Sequence, residues 1–231
     1  MNSTLTLFLL LAAILLYGYL FPRIAGRRLY TLFNLGFALF SVWLVKKAGA
    51  NWGQLGFSFS LSSIAIALVV LLIVISAELV FFKKNRLEIS AANLRELLVR
   101  IPFGTALAEE MIFRGSLIGV LLLSYSRFWS LLISSAIFGI WHLLPGPSST
   151  WTQQNLMYKN KPRWLARLSS DSVTVLVTTF GGLFFGWLRL ASGGILLPWV
   201  FHSGINIVSW TLSGSFDFKS LSRRTSKVGE N

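Results

Sequence analysis

Six residues combine a reactive side chain with a place inside a long apolar run: Glu109, Glu110, Arg114, His142, His202 and Asn206. Ionisable groups at membrane depth are costly and are functional candidates by default. The two histidines are the only ones in the chain, and there is no cysteine, so neither thiolate chemistry nor a disulfide framework is available. Glu110 and Arg114 stand four apart, so on a helix they share a face and form an ion pair. Glu109 points about 100° away around that helix and is left without this partner. A carboxylate not committed to a salt bridge is free to take and return a proton. Phe138 and His142, and likewise His202 and Asn206, repeat the spacing of four, so each pair presents one helix face toward a bundle interior.

The elements that must hold these groups are apolar helices. Of the 231 residues 54% are hydrophobic and 13% charged, with a mean hydropathy of +0.67. A soluble domain carries about 25% charge, so the bilayer is the natural solvent for this chain. Long apolar segments lie at Leu5–Phe21, Leu29–Val45, Leu61–Phe82, Phe103–Leu123, Phe128–Leu144, Ser172–Leu190 and Gly193–Leu212. Each approaches the ~20 residues needed to cross the hydrocarbon core. The reading is an all-α, polytopic transmembrane bundle of about seven spans in one integral membrane domain, residues 1–231. The first segment, followed by Pro22 and basic residues and by no small-x-small cleavage site, reads as a retained helix.

The net charge of +13 follows the loops. Sixteen of the 21 basic residues fall on one side, from Arg23 through Lys83, Lys159 and Arg223; Lys46, Lys47, Arg127 and Arg189 fall on the other, and Arg114 lies within a span. This bias makes the first side cytoplasmic, with the N-terminus outside and the C-terminal tail, 213–231, inside. The basic residues read as topology signals and contacts for anionic lipid, not as a nucleic-acid site. Leu87 to Arg100 reads as a short amphipathic helix on the cytoplasmic surface. Residues 145–170, with Pro145, Pro147 and Pro162, read as a cytoplasmic loop. With this topology Glu109 lies roughly 9 Å in from the cytoplasmic end of its span, and His202 and Asn206 roughly 10–17 Å from theirs. His142 lies close to the same side, so three helices bring their polar groups to one half of the membrane.

The run Glu109-Glu110-Met111-Ile112-Phe113-Arg114-Gly115 resembles the EExxxR motif of the CPBP family, which contains CAAX-type prenyl endopeptidases and bacterial Abi and bacteriocin-processing proteins. Phe138 to His142 is similar to its FxxxH motif and His202 to Asn206 to its HxxxN motif, over residues 100–212 and in the same order. The resemblance implies a peptide-bond hydrolase in a bacterial-type cell membrane or its equivalent, acting on a membrane-anchored or lipidated peptide or protein. It implies Glu109 as the base that activates water, assisted by His142. It gives His202 and Asn206 as the stabilisers of the oxyanion, and the Glu110–Arg114 pair as the brace of the helix. An imidazole and a carboxamide one turn apart suit a developing negative charge.

Other readings use the same residues. Glu109, His142 and His202 would supply a two-histidine, one-carboxylate zinc site; with no HExxH helix, a reaction without a cofactor is favoured. A non-catalytic immunity or binding protein on the same scaffold is a third reading. Phe138 is taken as packing under His142. Glu78 is taken as an interfacial carboxylate near Lys83 and Lys84. The segment Trp52-Gly53-Gln54-Leu55-Gly56-Phe57 reads as a re-entrant turn or cap with no chemistry.

Overall fold

The computed structural model describes the backbone of residues 1–24, 29–85, 91–144 and 163–228, and the side chains of 1–21, 29–83, 93–144 and 171–212. Its elements are α1 (Ser3–Ile24), α2 (Tyr30–Lys47), α3 (Leu61–Asn85), α4 (Ala91–Arg95), π1 (Glu96–Leu107), π2 (Glu110–Leu117), α5 (Ile118–Leu121), α6 (Arg127–Trp141), α7 (Arg163–Ser192) and α8 (Leu196–Val228). No strand occurs among the described residues; a single antiparallel bridge joins Phe57 to Gly194. Helices are the expected solution in lipid, because each backbone donor and acceptor is satisfied within its own segment.

Three stretches are long and apolar enough to cross a membrane: Ser3–Phe21, Leu61–Lys83 and Asp171–Ser192. The outward face of the molecule agrees, with Phe8, Leu32, Leu72, Ile73, Val177 and Phe180 all exposed. In water such a surface would drive aggregation; against acyl chains it costs nothing. Helix α6 is a shorter apolar helix of 15 residues. The full count of seven spans therefore belongs to the proposal below.

The core is built around π2, whose eight residues are all buried. Helices α2, α6 and α7 pack on it, α1 packs on α5, and α3 lies along α8. Leu10 and Ile14 of α1, Val42 and Val45 of α2, Phe113 and Leu117 of π2 and Phe138 of α6 form one apolar cluster. Small polar groups stitch the helices together. Ser41 and Ser116 share a hydrogen bond of 2.8 Å, Ser134 donates to the Phe113 carbonyl at 3.1 Å, and Tyr17 donates to Asn34 at 2.7 Å. Such bonds hold helices where the solvent supplies no hydrophobic drive between them.

Residues 91–121 follow one nearly continuous helical path in which the wide π geometry recurs. Pro102 lies within π1 and cannot donate a backbone hydrogen bond. Its own carbonyl accepts the indole N–H of Trp199 at 2.7 Å, which ties π1 to α8.

The Trp52–Phe57 segment folds inward and rests on the helix that carries the polar residues. Leu55 is fully buried, and a Cβ on Gly115 or Gly119 would sit 3.2 and 3.1 Å from the carbonyl oxygens of Leu55 and Gln54. Only glycine permits that approach without displacing backbone. Gly56 turns the segment at φ +78.

One expectation is corrected here: residues 163–170 belong to α7, not to a loop. The chain after Ser213 continues α8 as far as Val228. The amphipathic reading of Leu87–Arg100 meets α4 and the start of π1, where Leu97 is buried and Leu98 exposed; residues 86–90 lie outside the described residues, as do 145–162.

Candidate active site

Glu109 and Glu110 sit where the helical path passes into π2. A π turn closes hydrogen bonds over five residues instead of four, so neighbouring side chains diverge less than in an α-helix. Both glutamates accordingly meet the same partner. His202 Nδ1 lies 2.8 Å from Glu110 Oε1, and His202 Nε2 lies 3.7 Å from Glu109 Oε2. The Glu110 oxygen is shared with Arg114, whose NH1 stands 3.3 Å away. All four side chains are buried: Glu110 and Arg114 are 0% and 1% exposed, His202 7% and Glu109 9%.

The separation on the two sides of the imidazole differs in kind. At 2.8 Å, Nδ1–H donates to the Glu110 carboxylate. At 3.7 Å, Nε2 and Glu109 face each other beyond hydrogen-bond reach. Glu109 Oε2 has no hydrogen-bond partner among the described residues, although it is buried. A buried acceptor left open in this way is a group waiting for a donor.

Aromatic rings wall the cluster. Phe185 of α7 stacks on His202 with centroids 4.8 Å apart and ring planes at 16°. The Arg114 guanidinium lies 4.1 Å from the Phe138 centroid and 5.4 Å from that of Phe185. Its NH2 reaches toward the Gly182 carbonyl at 3.5 Å. The guanidinium is thus held by one carboxylate, one carbonyl and two ring faces, which suits a cation at this depth.

His142 stands apart from the carboxylates. It caps α6, and its Nδ1–H donates to the Phe138 carbonyl at 2.8 Å, which leaves Nε2 unengaged among the described residues. Among the described residues no carboxylate lies within 4.0 Å of it. Its ring meets that of Phe138 edge to face at 4.5 Å, and Phe138 in turn meets His202 at 6.4 Å. Asn206, one turn beyond His202 on α8, is half-buried and makes no hydrogen bond among the described residues. The structure therefore joins Glu109, Glu110, Arg114 and His202 directly, and links His142 to them only through Phe138. No three carboxylate or imidazole groups among the described residues are placed to hold a metal ion together. Of the trio Glu109, His142 and His202, only Glu109 and His202 approach each other.

Sequence reasoning missed two partners. Phe185 is one aromatic among many, and nothing in its spacing marked it. Arg189 was read as a loop charge outside the membrane, yet it is 3% exposed within α7. It donates to the carbonyls of Gly53 at 2.8 Å, Gln54 at 2.7 Å and Arg114 at 3.2 Å. It thereby fastens the re-entrant segment to the back of the site. The signal was available: a cation in a run as apolar as Gly186-Trp187-Leu188-Arg189-Leu190 needs internal partners.

A family model described as type II CAAX prenyl endopeptidase Rce1-like matches residues 91–208, a stretch that begins at α4 and includes both glutamates, Arg114, both histidines and Asn206. No curated protein and no solved structure matches the chain. The matched segment spans half of the chain and contains every side chain of the buried cluster, and the chain belongs to the Rce1-like type II CAAX prenyl endopeptidase family.

Proposed function

We propose that this chain hydrolyses a peptide bond in a membrane-associated or prenylated, CAAX-type substrate, using a water activated by Glu109. The observation that carries this reading is the buried, unpartnered Glu109 Oε2 facing His202 Nε2 at 3.7 Å. A water donated to that oxygen loses its proton to Glu109 and attacks the scissile carbonyl carbon. The carbonyl oxygen becomes an oxyanion. His202, held through Nδ1 by Glu110, and the Asn206 carboxamide are assigned to stabilise it. Glu109 then returns its proton to the leaving nitrogen as the C–N bond breaks, yielding a carboxylic acid and an amine, which exchange a proton to leave as carboxylate and ammonium. The free Nε2 of His142 is assigned to orienting the water. Arg114 holds Glu110, and so indirectly fixes the tilt of His202.

The reaction is proposed without a metal. The proposed topology is seven spans with the N-terminus outside and the C-terminus cytoplasmic, supported by the distribution of basic residues. The test is cleavage of a prenylated peptide by purified protein in liposomes, followed by mass spectrometry, with metal content measured on the same sample. Wild type releases the tail fragment, and Glu109→Gln, which keeps shape and volume, releases none while melting like wild type. Cleavage by Glu109→Gln at the wild-type rate would remove the proposed base.

A further inference from the structure

A cavity of about 490 Å³ runs between α3, π1 and α8 and passes Ser203, the residue next to His202 in sequence. Its size is that of a ligand pocket. Its lining is apolar except at two places. Ser203 is 8% exposed, and its buried Oγ has no hydrogen-bond partner among the described residues. Glu78 is the one charged side chain among the residues that line the cavity. Glu78 turns toward α8, accepts a hydrogen bond from Thr211 at 2.8 Å, and has no basic side chain within 4.0 Å among the described residues.

A carboxylate set in an apolar groove with one neutral donor lacks the charged partner that membrane depth demands. The same groove passes Ser203, the neighbour in sequence of the proposed catalytic histidine. From these two facts we infer that the groove binds the substrate chain, with Glu78 receiving a lysine or arginine of that chain. The inference rests on the endopeptidase reading and names a specificity of that site. The register follows from the helices. Val74 packs against Gly204, where a Cβ would meet it at 2.8 Å. Glu78 lies one turn beyond Val74, about 6 Å along α3, and its partner Thr211 lies nine residues beyond His202, about 13 Å along α8. An extended chain advances about 3.3 Å per residue, so the cation falls about two to four residues from the scissile bond.

The experiment uses internally quenched prenylated peptides carrying lysine, norleucine or glutamate at each of four positions on either side of the scissile bond. Full-length protein is held in phosphatidylcholine nanodiscs, which remove anionic and amine-bearing lipid. For wild type, kcat/KM for the lysine peptide exceeds that for norleucine by roughly tenfold at one position two to four residues away, as a charge-assisted bond in a dry groove should give. The lysine-to-norleucine ratio falls to near one in Glu78→Gln and reverses in favour of glutamate in Glu78→Lys. Absence of a positional preference in wild type overturns the proposal without any variant, and so does an unchanged ratio in Glu78→Gln. Binding of the same peptides to Glu109→Gln, read by fluorescence anisotropy, separates this claim from the protease reading. If wild type cuts no peptide, that reading fails, while lysine-dependent, Glu78-dependent binding still upholds the subsite. If binding shows no lysine dependence and responds to added phosphatidylethanolamine instead, the occupant is a lipid amine and the inference is wrong.

Discussion

Helix α3 and element π2 are built on opposite plans. The membrane-length stretch of α3 is almost entirely apolar and faces outward, with 6% of it buried inside the molecule. In π2 all eight residues are buried, two of them charged. Lipid asks of α3 only that it be apolar and satisfy its own backbone. The charges of π2 must instead find fixed partners: Glu110 has Arg114 and His202, and Arg114 has Phe138 and Phe185. Polarity inside the protein is tolerated where charges find fixed partners, and Glu109 and Asn206, which have the fewest, are where chemistry is proposed.

The sharpest way to break this contrast is to remove one member of the organised set. Glu110→Ala or Arg114→Ala strands the other charge, with a cost of about 3–5 kcal/mol. Both variants should accumulate poorly, melt early in detergent and lose activity. Wild-type melting of both would mean that the pair does not hold π2.

Asn206 tests the other half of the contrast. It has no partner to strand, so Asn206→Ala should leave the melting temperature unchanged and lower kcat by about 10²–10³, as the loss of one oxyanion donor does. A large stability loss with a small rate effect would make it a packing residue.

Arg189 comes next. Arg189→Ala leaves the carbonyls of Gly53, Gln54 and Arg114 without their donor. The expected loss is about 1–3 kcal/mol, and residues 51–57 should become accessible to a thiol reagent once a cysteine is placed at Gln54. If labelling of Gln54→Cys is the same with and without Arg189, the clamp is not what seats the segment. The smallest effect belongs to α3. Leu72, 63% exposed and facing lipid, should tolerate Leu72→Ala within about 0.5 kcal/mol by detergent melting. A loss on the scale of Arg189→Ala would show that α3 meets protein there, not lipid.

Much of the site was legible before any coordinates. Glu110 and Arg114 announce their pairing by spacing alone, because four residues along a helix return to one face. His202 and Asn206 declare a shared helix, and the apolar runs declare the solvent. The pairing of His202 with both glutamates was not legible. It depends on the wide turn at π2, which no residue type in Glu109–Leu117 compels, and on the rotation of α8 about its own axis. That rotation is set by close packing elsewhere, at Gly204 on Val74 and at Trp199 on Pro102. The same holds for Arg189 and Glu78, whose places in sequence sit near the ends of apolar runs and invite a reading as surface charges.

What the sequence by itself determined is local: which segments are apolar and helical and which faces carry polar groups, because hydropathy and helical period act over a few residues. Only the tertiary structure decided which histidine faces the carboxylates, which arginine clamps the re-entrant segment and which carboxylate lines the groove. Those choices are made by the azimuth of one helix against another, and that angle is set by interhelical packing summed over many small contacts, with no short-range signature in the chain.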